Sequence, residues 1–267
     1  MAPRGIKDGP PAAPPPDRRR DAGGLFAPDG RPGQECRAAS LLAFDLGFGE
    51  ALAGLDEAGR GPLAGPLVAA AAVLDLRTPY PGVDDSKRLS PEARERAARI
   101  VKERAAGWAL AVKSPAEVDE LNPLGASMAA MAEAFALLGD RPGLALADGN
   151  RAPPVAGARV LCVVRGDSLS LSVAAASVLA KTARDAMMLE LHALYPRYGF
   201  DRHKGYGTRE HLEALARFGP CPAHRLSYRG VLGPGRQEGA GAPGRGRPRR
   251  GGPAGPDGDG GPGGRLF

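Results

Sequence analysis

The sequence predicts an α/β fold in which a mixed β-sheet is flanked by helices. Three observations carry this. Two apolar runs, residues 51–56 and 66–74, flank a Gly-rich turn, which is the pattern of paired strands. Further short apolar runs then alternate with Ala- and Leu-rich stretches of helical length, and strand–helix alternation after a hairpin gives a mixed sheet. Composition is also uneven along the chain. Of 39 Gly and 27 Pro in 267 residues, residues 1–45 hold six Gly and eight Pro, and residues 233–267 hold fourteen Gly and six Pro. The expected organisation is a disordered Pro/Gly/Arg-rich leader at 1–45, one domain at 46–232, and a disordered Gly/Pro/Arg-rich tail at 233–267.

Each element follows from local signals. The first strand ends on Asp56, and residues 68–74 read as a buried strand. Residues 83–90 form a polar loop. Ser90 offers an N-cap hydroxyl and Pro91 suits the first helical position, so a helix runs from there to about Ala106. Residues 108–113 read as a strand and residues 115–121 as a short helical turn. Residues 124–138 form a helix with Met128, Met131 and Phe135 on one face. Residues 144–148 and 160–164 are strands, the first ending on Asp148 and the second leading into Arg165-Gly-Asp167. A long helix covers 171–194. A last helix starts at Thr208, its N-cap, and ends near Phe218 and Gly219.

Charge and cysteine content narrow the setting. The net charge is +6, but the leader has seven Lys/Arg against six Asp/Glu and the tail six against three. The domain itself is nearly balanced, so its basicity says little about nucleic acid. Cys36, Cys162 and Cys221 show no metal-ligand spacing and no disulfide framework, which suits a reduced cytoplasmic protein. The N-terminal residues lack the apolar stretch of a secretory signal. No run of about 18 apolar residues is present, so no membrane span is expected.

The chemistry rests on acidic residues that recur just past apolar strands: Asp56 and Glu57, then Asp148, then Asp167. Strands ending at one sheet edge would bring them together. Carboxylates that crowd one another raise each other's pKa, and a divalent cation relieves the repulsion. Oxygen-only ligands point to Mg²⁺ or Mn²⁺ rather than zinc. Two such ions suit phosphodiester hydrolysis. A Ser-x-x-Lys signature, a phosphate-binding loop and a dinucleotide fingerprint are all absent.

Gly54-Leu-Asp-Glu-Ala-Gly-Arg-Gly-Pro-Leu-Ala-Gly-Pro66 resembles the signature segment of ribonuclease HII. The resemblance continues in order through Asp85-Ser-Lys87, Glu117-Val-Asp-Glu-Leu-Asn122, Asp148-Gly-Asn150, Gly166-Asp167 and Ala174-Ala-Ala-Ser-Val-Leu-Ala-Lys181. It closes with Arg184-Asp185, Tyr198-Gly-Phe200, His203-Lys-Gly-Tyr-Gly-Thr208 and His224-Arg225. It implies a ribonuclease H-like fold and a monomeric endonuclease that acts on RNA–DNA hybrids and on duplex DNA containing ribonucleotides. It implies that Asp56, Glu57, Asp148 and Asp167 are the catalytic metal ligands. Gly59, Arg60 and Gly61 would sense the ribonucleotide 2′-OH, the group that separates RNA from DNA. Tyr206 would pack on the deoxyribose 3′ of it, and Lys87 would contact phosphate. Lys181 would do so too or line a helix surface. Asp185 reads as structural, and His203 and His224 as structural or substrate-contact residues. Gly264-Arg-Leu-Phe267 is similar to short C-terminal peptides that dock on sliding clamps. A reading from another class is a non-catalytic binder whose Arg-Gly-Pro tails hold phosphates.

Overall fold

The computed structural model describes residues 34–49 and 51–232, with side chains from residue 37 onward. The expected disorder of the leader before residue 34 and of the tail from residue 233 lies outside the described residues.

The sheet has five strands. β1 (Leu52–Ala58) and β2 (Leu67–Val73) form the expected antiparallel hairpin, and β3 (Gly107–Lys113) extends it antiparallel beside β2. β4 (Leu144–Asp148) lies parallel to β1, and β5 (Arg159–Val163) parallel to β4, giving the order β3-β2-β1-β4-β5. β1 is therefore central. Alternation divides the hairpin between two faces. Leu55, Ala69 and Ala71 pack with Met131 and Phe135 of α3 (Pro115–Ala136). Ala70 and Ala72 pack with Ala97 and Val101 of α2 (Pro91–Arg104) and with Ala174 and Val178 of α4 (Leu171–Leu194). The small alanines let helices approach closely from both sides.

Several boundaries sharpen. α2 stops at Arg104 because Ala105 turns extended. The two helical stretches expected at 115–121 and 124–138 meet at Asn122, whose φ of 59° and ψ of 161° break the helix before Pro123. Asn122 Oδ1 then accepts from the amides of Leu124 and Gly125, both at 3.1 Å, and restarts it. β1 runs on through Ala58, so Asp56 and Glu57 stand inside a strand rather than past its end. A 3₁₀ turn (Gly166–Ser168) and a second (Pro196–Tyr198) precede the short α5 (Phe200–His203), and Thr208 caps α6 (Arg209–Phe218) as expected.

One expectation is corrected. Residues 34–45, read as disordered leader, belong to a helix, α1 (Gln34–Leu46), that packs on the body. Leu41 is buried among Ala70, Leu74 and Ala174. Arg37 donates two hydrogen bonds to Asp84, at 2.9 and 2.7 Å. Asp45 is fully buried, and its Oδ2 accepts from the amide and the hydroxyl of Ser172, both at 2.8 Å. A residue of α1 thus satisfies a free amide in the first turn of α4. The Pro-rich stretch before residue 34 masks this short amphipathic segment in any average over 1–45. Asp45→Ala strands those donors and is expected to cost about 2 kcal/mol of stability. Asp45→Asn, which keeps an acceptor, should recover most of that loss in a thermal melt.

Among the described residues no helix is long and apolar enough to cross a membrane.

Candidate active site

The sheet register builds the acidic centre. Leu55 of β1 pairs with Ala147 of the parallel β4, so Asp56 and Asp148 follow side by side on adjacent strands. Glu57 is next on β1. Asp167 comes not from a strand end but from the 3₁₀ turn after β5. That turn is tied to β4 by the Gly166 amide, which donates to Asp148 Oδ1 at 2.7 Å. Asp56 and Asp167 are both buried.

Electrostatics reflects the crowding. Burial pushes the Asp56 carboxyl well above the usual carboxylate range, and the charges of Glu57 and Asp148 push it further. Hydrogen bonds from the Glu57 amide, at 2.7 Å, and from Ser177 only partly offset this. Asp148 is raised as well, by burial and then by Asp167. Lys87 Nζ sits on Asp167 Oδ2 at 2.6 Å. Burial works against the charge of Lys87, but the bond to Asp167 and its negative charge outweigh that and hold the ammonium above its ordinary pKa.

Asp56, Glu57, Asp148 and Lys87 line a cleft of about 220 Å³ together with Gly59, Arg60, Gly61, Ser177, Lys181 and Tyr206, whereas the buried Asp167 is not part of its lining and meets it only through Lys87. Among the described residues no three His, Cys, Asp or Glu already stand in a metal-holding arrangement. The donor set nevertheless fits a hard divalent cation: it is all oxygen, its members repel one another, and an ammonium is already drawn onto Asp167.

Gly59, Arg60 and Gly61, directly after β1, line the same cleft. Gly59 has φ +99°, and a Cβ there would lie 2.2 Å from Arg184 Nε. Glycine is required at that position by backbone and packing alike. At Gly61 a Cβ would meet only Tyr206 Cε1, at 3.8 Å, so nothing within the fold demands glycine. Its bare backbone opens the cleft wall. Arg60 Nη1 donates to Glu57 Oε1 at 3.0 Å, and the half-exposed Tyr206 ring borders Gly61.

Behind Tyr206 lie three buried histidines. The Tyr206 carbonyl can only accept, so His211 Nδ1 carries the proton at 2.9 Å. His211 Nε2 then accepts from His224 Nε2 at 3.0 Å, and His224 Nδ1 accepts from the Cys221 amide at 3.0 Å. Burial, and then the neighbouring His211, lower His224 to about 4, so it is neutral at physiological pH. His203 hydrogen-bonds the Tyr198 carbonyl at 2.7 Å. His203 and His224 therefore stand behind the cleft wall, not in the cleft. Asp185 accepts from Lys181 at 2.7 Å and Arg94 at 3.1 Å, apart from the acidic group. His211, Ser177, Arg184 and Arg225 are positioned against this site although residue type and spacing single out none of them. Only their places within or beside the matched blocks mark them.

The model of the family described as Ribonuclease HII matches residues 53–231. A ribonuclease HII from Bordetella avium is 52% identical over 179 residues, covering 67% of this chain and 88% of that relative. The crystal structure of ribonuclease H2 from Pyrococcus horikoshii is similar with a TM-score of 0.60 at 27% identity, over 68% of this chain and 95% of that one. Ribonuclease HII of Archaeoglobus fulgidus, solved in a complex with PCNA, has a TM-score of 0.57 at 26% identity, over 67% and 95%. A sheet that sets Asp56 beside Asp148, a turn that brings Asp167 to them, and this agreement over the whole domain lead to one assignment: the chain belongs to the ribonuclease HII family and is an endonuclease of the ribonuclease H type.

Proposed function

We propose that the protein cleaves the RNA strand of RNA–DNA hybrids and nicks duplex DNA on the 5′ side of an embedded ribonucleotide, leaving 3′-OH and 5′-phosphate ends. One observation supports this above the others: Asp56, Glu57 and Asp148 share a single cleft with Gly59, Arg60 and Gly61, with the Tyr206 ring against Gly61. Carboxylates suited to phosphodiester hydrolysis thus lie beside bare backbone and an aromatic ring.

Asp56, Glu57, Asp148 and Asp167 would hold two divalent ions, Mg²⁺ or Mn²⁺, which when bound would supply charge neutralisation, an activated water for in-line attack and stabilisation of the leaving 3′ oxygen. The chain's own residues do the rest. Gly61 admits the ribose so that the backbone of residues 59–61 reads its 2′-OH. Tyr206 packs on the next sugar, where a second 2′-OH would collide with the ring. Lys87 exchanges Asp167 for a substrate phosphate. Lys181, lining the same cleft, adds positive charge near the backbone of the strand.

The test is a duplex with one ribonucleotide in Mg²⁺ or Mn²⁺. A nick 5′ of that residue is the expected product, and an intact duplex alongside cleaved RNA–DNA hybrid would overturn the junction reading. Tyr206→Ala should lower kcat/KM on this duplex roughly tenfold, the scale of one lost stacking contact. A long hybrid should suffer less, because it offers many registers.

Removal of ribonucleotides from DNA and of RNA primers are the roles that suit such a cut, in a monomeric cytoplasmic enzyme. Cys162 and Cys221 are free thiols, in keeping with a reduced setting. The archaeal relative solved with PCNA makes a sliding clamp the natural partner for Gly264-Arg-Leu-Phe267, which lies outside the described residues. Equal clamp retention by the full chain and by a chain lacking residues 264–267 would remove that partner. Family membership sets aside a purely non-catalytic binder.

A further inference from the structure

Two arginines of the matched blocks, Arg184 and Arg225, are wholly buried, and among the described residues neither forms an ion pair with a carboxylate. A buried charge without a counter-ion is costly unless hydrogen bonds satisfy it. Arg225 is satisfied almost entirely by the backbone of one loop. Its Nη2 donates to the carbonyls of Gly59 at 2.7 Å and Gly65 at 2.8 Å, clasping the two ends of residues 59–65 on one nitrogen. Nε donates to Gly65 O at 3.1 Å, and Nη1 to Arg60 O at 3.2 Å and to the Tyr228 hydroxyl at 3.1 Å. The Tyr228 hydroxyl itself donates to Arg60 O at 2.6 Å.

The consequence follows from peptide geometry. In a trans peptide the carbonyl of one residue and the amide of the next point in opposite directions. With the Gly59 and Arg60 carbonyls drawn onto Arg225 and Tyr228, the amides of Arg60 and Gly61 are directed away from them. Among the described residues neither amide donates to another backbone carbonyl. Arg184 secures the far end of the loop. It donates to Pro66 O at 3.0 Å and to Ala64 O at 3.3 Å, and reaches Lys204 O at 3.0 Å, two residues before Tyr206.

We propose that Arg225, with Tyr228, is a positioning residue for ribonucleotide discrimination: it fixes the peptide planes of residues 59–61, and so sets how strongly the enzyme demands a 2′-OH. The inference rests on the reading of that loop as the 2′-OH sensor. A lysine would keep the charge but not the planar fork that holds three carbonyls at once.

The experiment compares single-turnover cleavage of two duplexes, identical except that the lone ribonucleotide carries 2′-OH or 2′-fluoro. The ratio of the two rates is independent of how much protein is folded. Wild type should cut the fluoro duplex far more slowly. Arg225→Lys should shrink that ratio by about tenfold, the worth of roughly one hydrogen bond. Tyr228→Phe, which removes one hydroxyl and leaves the core intact, should shrink it in the same direction by less. A wild-type ratio that both variants keep, whatever their absolute rates, would overturn the positioning role while leaving the sensor reading in place. A wild type indifferent to the fluoro substitution would overturn the sensor reading itself, and the proposal with it.

Discussion

Asp56→Asn is expected to reduce cleavage of a duplex with one ribonucleotide by roughly 10²–10³-fold or more, the scale of losing one preorganised charge-stabilising group. Asparagine preserves shape and one acceptor for the Glu57 amide, so the backbone of β1 should not move. What it removes is a negative charge that the fold itself resists. The Asp56 carboxyl is raised by burial and by Glu57 and Asp148, so ionising it costs more in the folded chain than in the unfolded one. The sign for stability follows. A group whose folded pKa is raised binds its proton more tightly in the folded state, and the ionised form is a burden above that value. Without divalent metal, in EDTA, Asp56→Asn should therefore melt higher than wild type at pH 7. The gap should close as pH falls through the folded pKa towards the ordinary carboxylate range. Activity down with stability up is the signature of a functional charge cluster. A variant that cuts normally, or one that melts lower at pH 7, would contradict this account of Asp56.

Gly54→Ala is expected to be the most destabilising single-methyl addition in the domain. Gly54 faces α4, two residues before Asp56 on the same side of β1. A Cβ there would lie 2.1 Å from the carbonyl carbon and oxygen of Ser172 and 2.4 Å from the amide of Val173. Those are backbone atoms, with no side chain to swing aside, so the helix would have to lift from the sheet. Overpacking of this kind costs about 3 kcal/mol or more. For a domain of this size that is a fall in Tm of roughly 10 °C. The same displacement would carry Ser177 away from Asp56, so activity should fall further than the folded fraction. A melt within a degree or two of wild type would show that the contact is softer than the geometry implies.

Much of the fold was legible in the sequence because its signals are local. Ser90 and Thr208 cap helices where hydroxyl and helical periodicity coincide, and α4 has the bounds its composition suggests. The interruption before Pro123 is also local, since proline disfavours the helical conformation in the residue before it. The acidic residues were legible as candidates, but their placement was not. Whether Asp56 ends a strand or sits within it depends on how far β2 continues the ladder, and the turn that delivers Asp167 depends on Gly166 reaching Asp148. Arg184 and Arg225 were least legible. Arginine is ordinarily a surface residue, and nothing in spacing says that carbonyls of residues 59–66 will accept from these two. The same holds for α1, whose partners are the first turn of α4 and the loop at Asp84.

That helix changes where the protein can be cut. A truncation designed on the family boundary, starting near residue 53, would retain every residue assigned to the cleft and would look complete as an enzyme. It would also open the socket of Leu41, strip Asp45 from the first turn of α4, and take Arg37 from Asp84, three residues before Lys87. A fragment meant to keep these contacts must include α1, and one trimmed to the shared family core should be judged as lacking them.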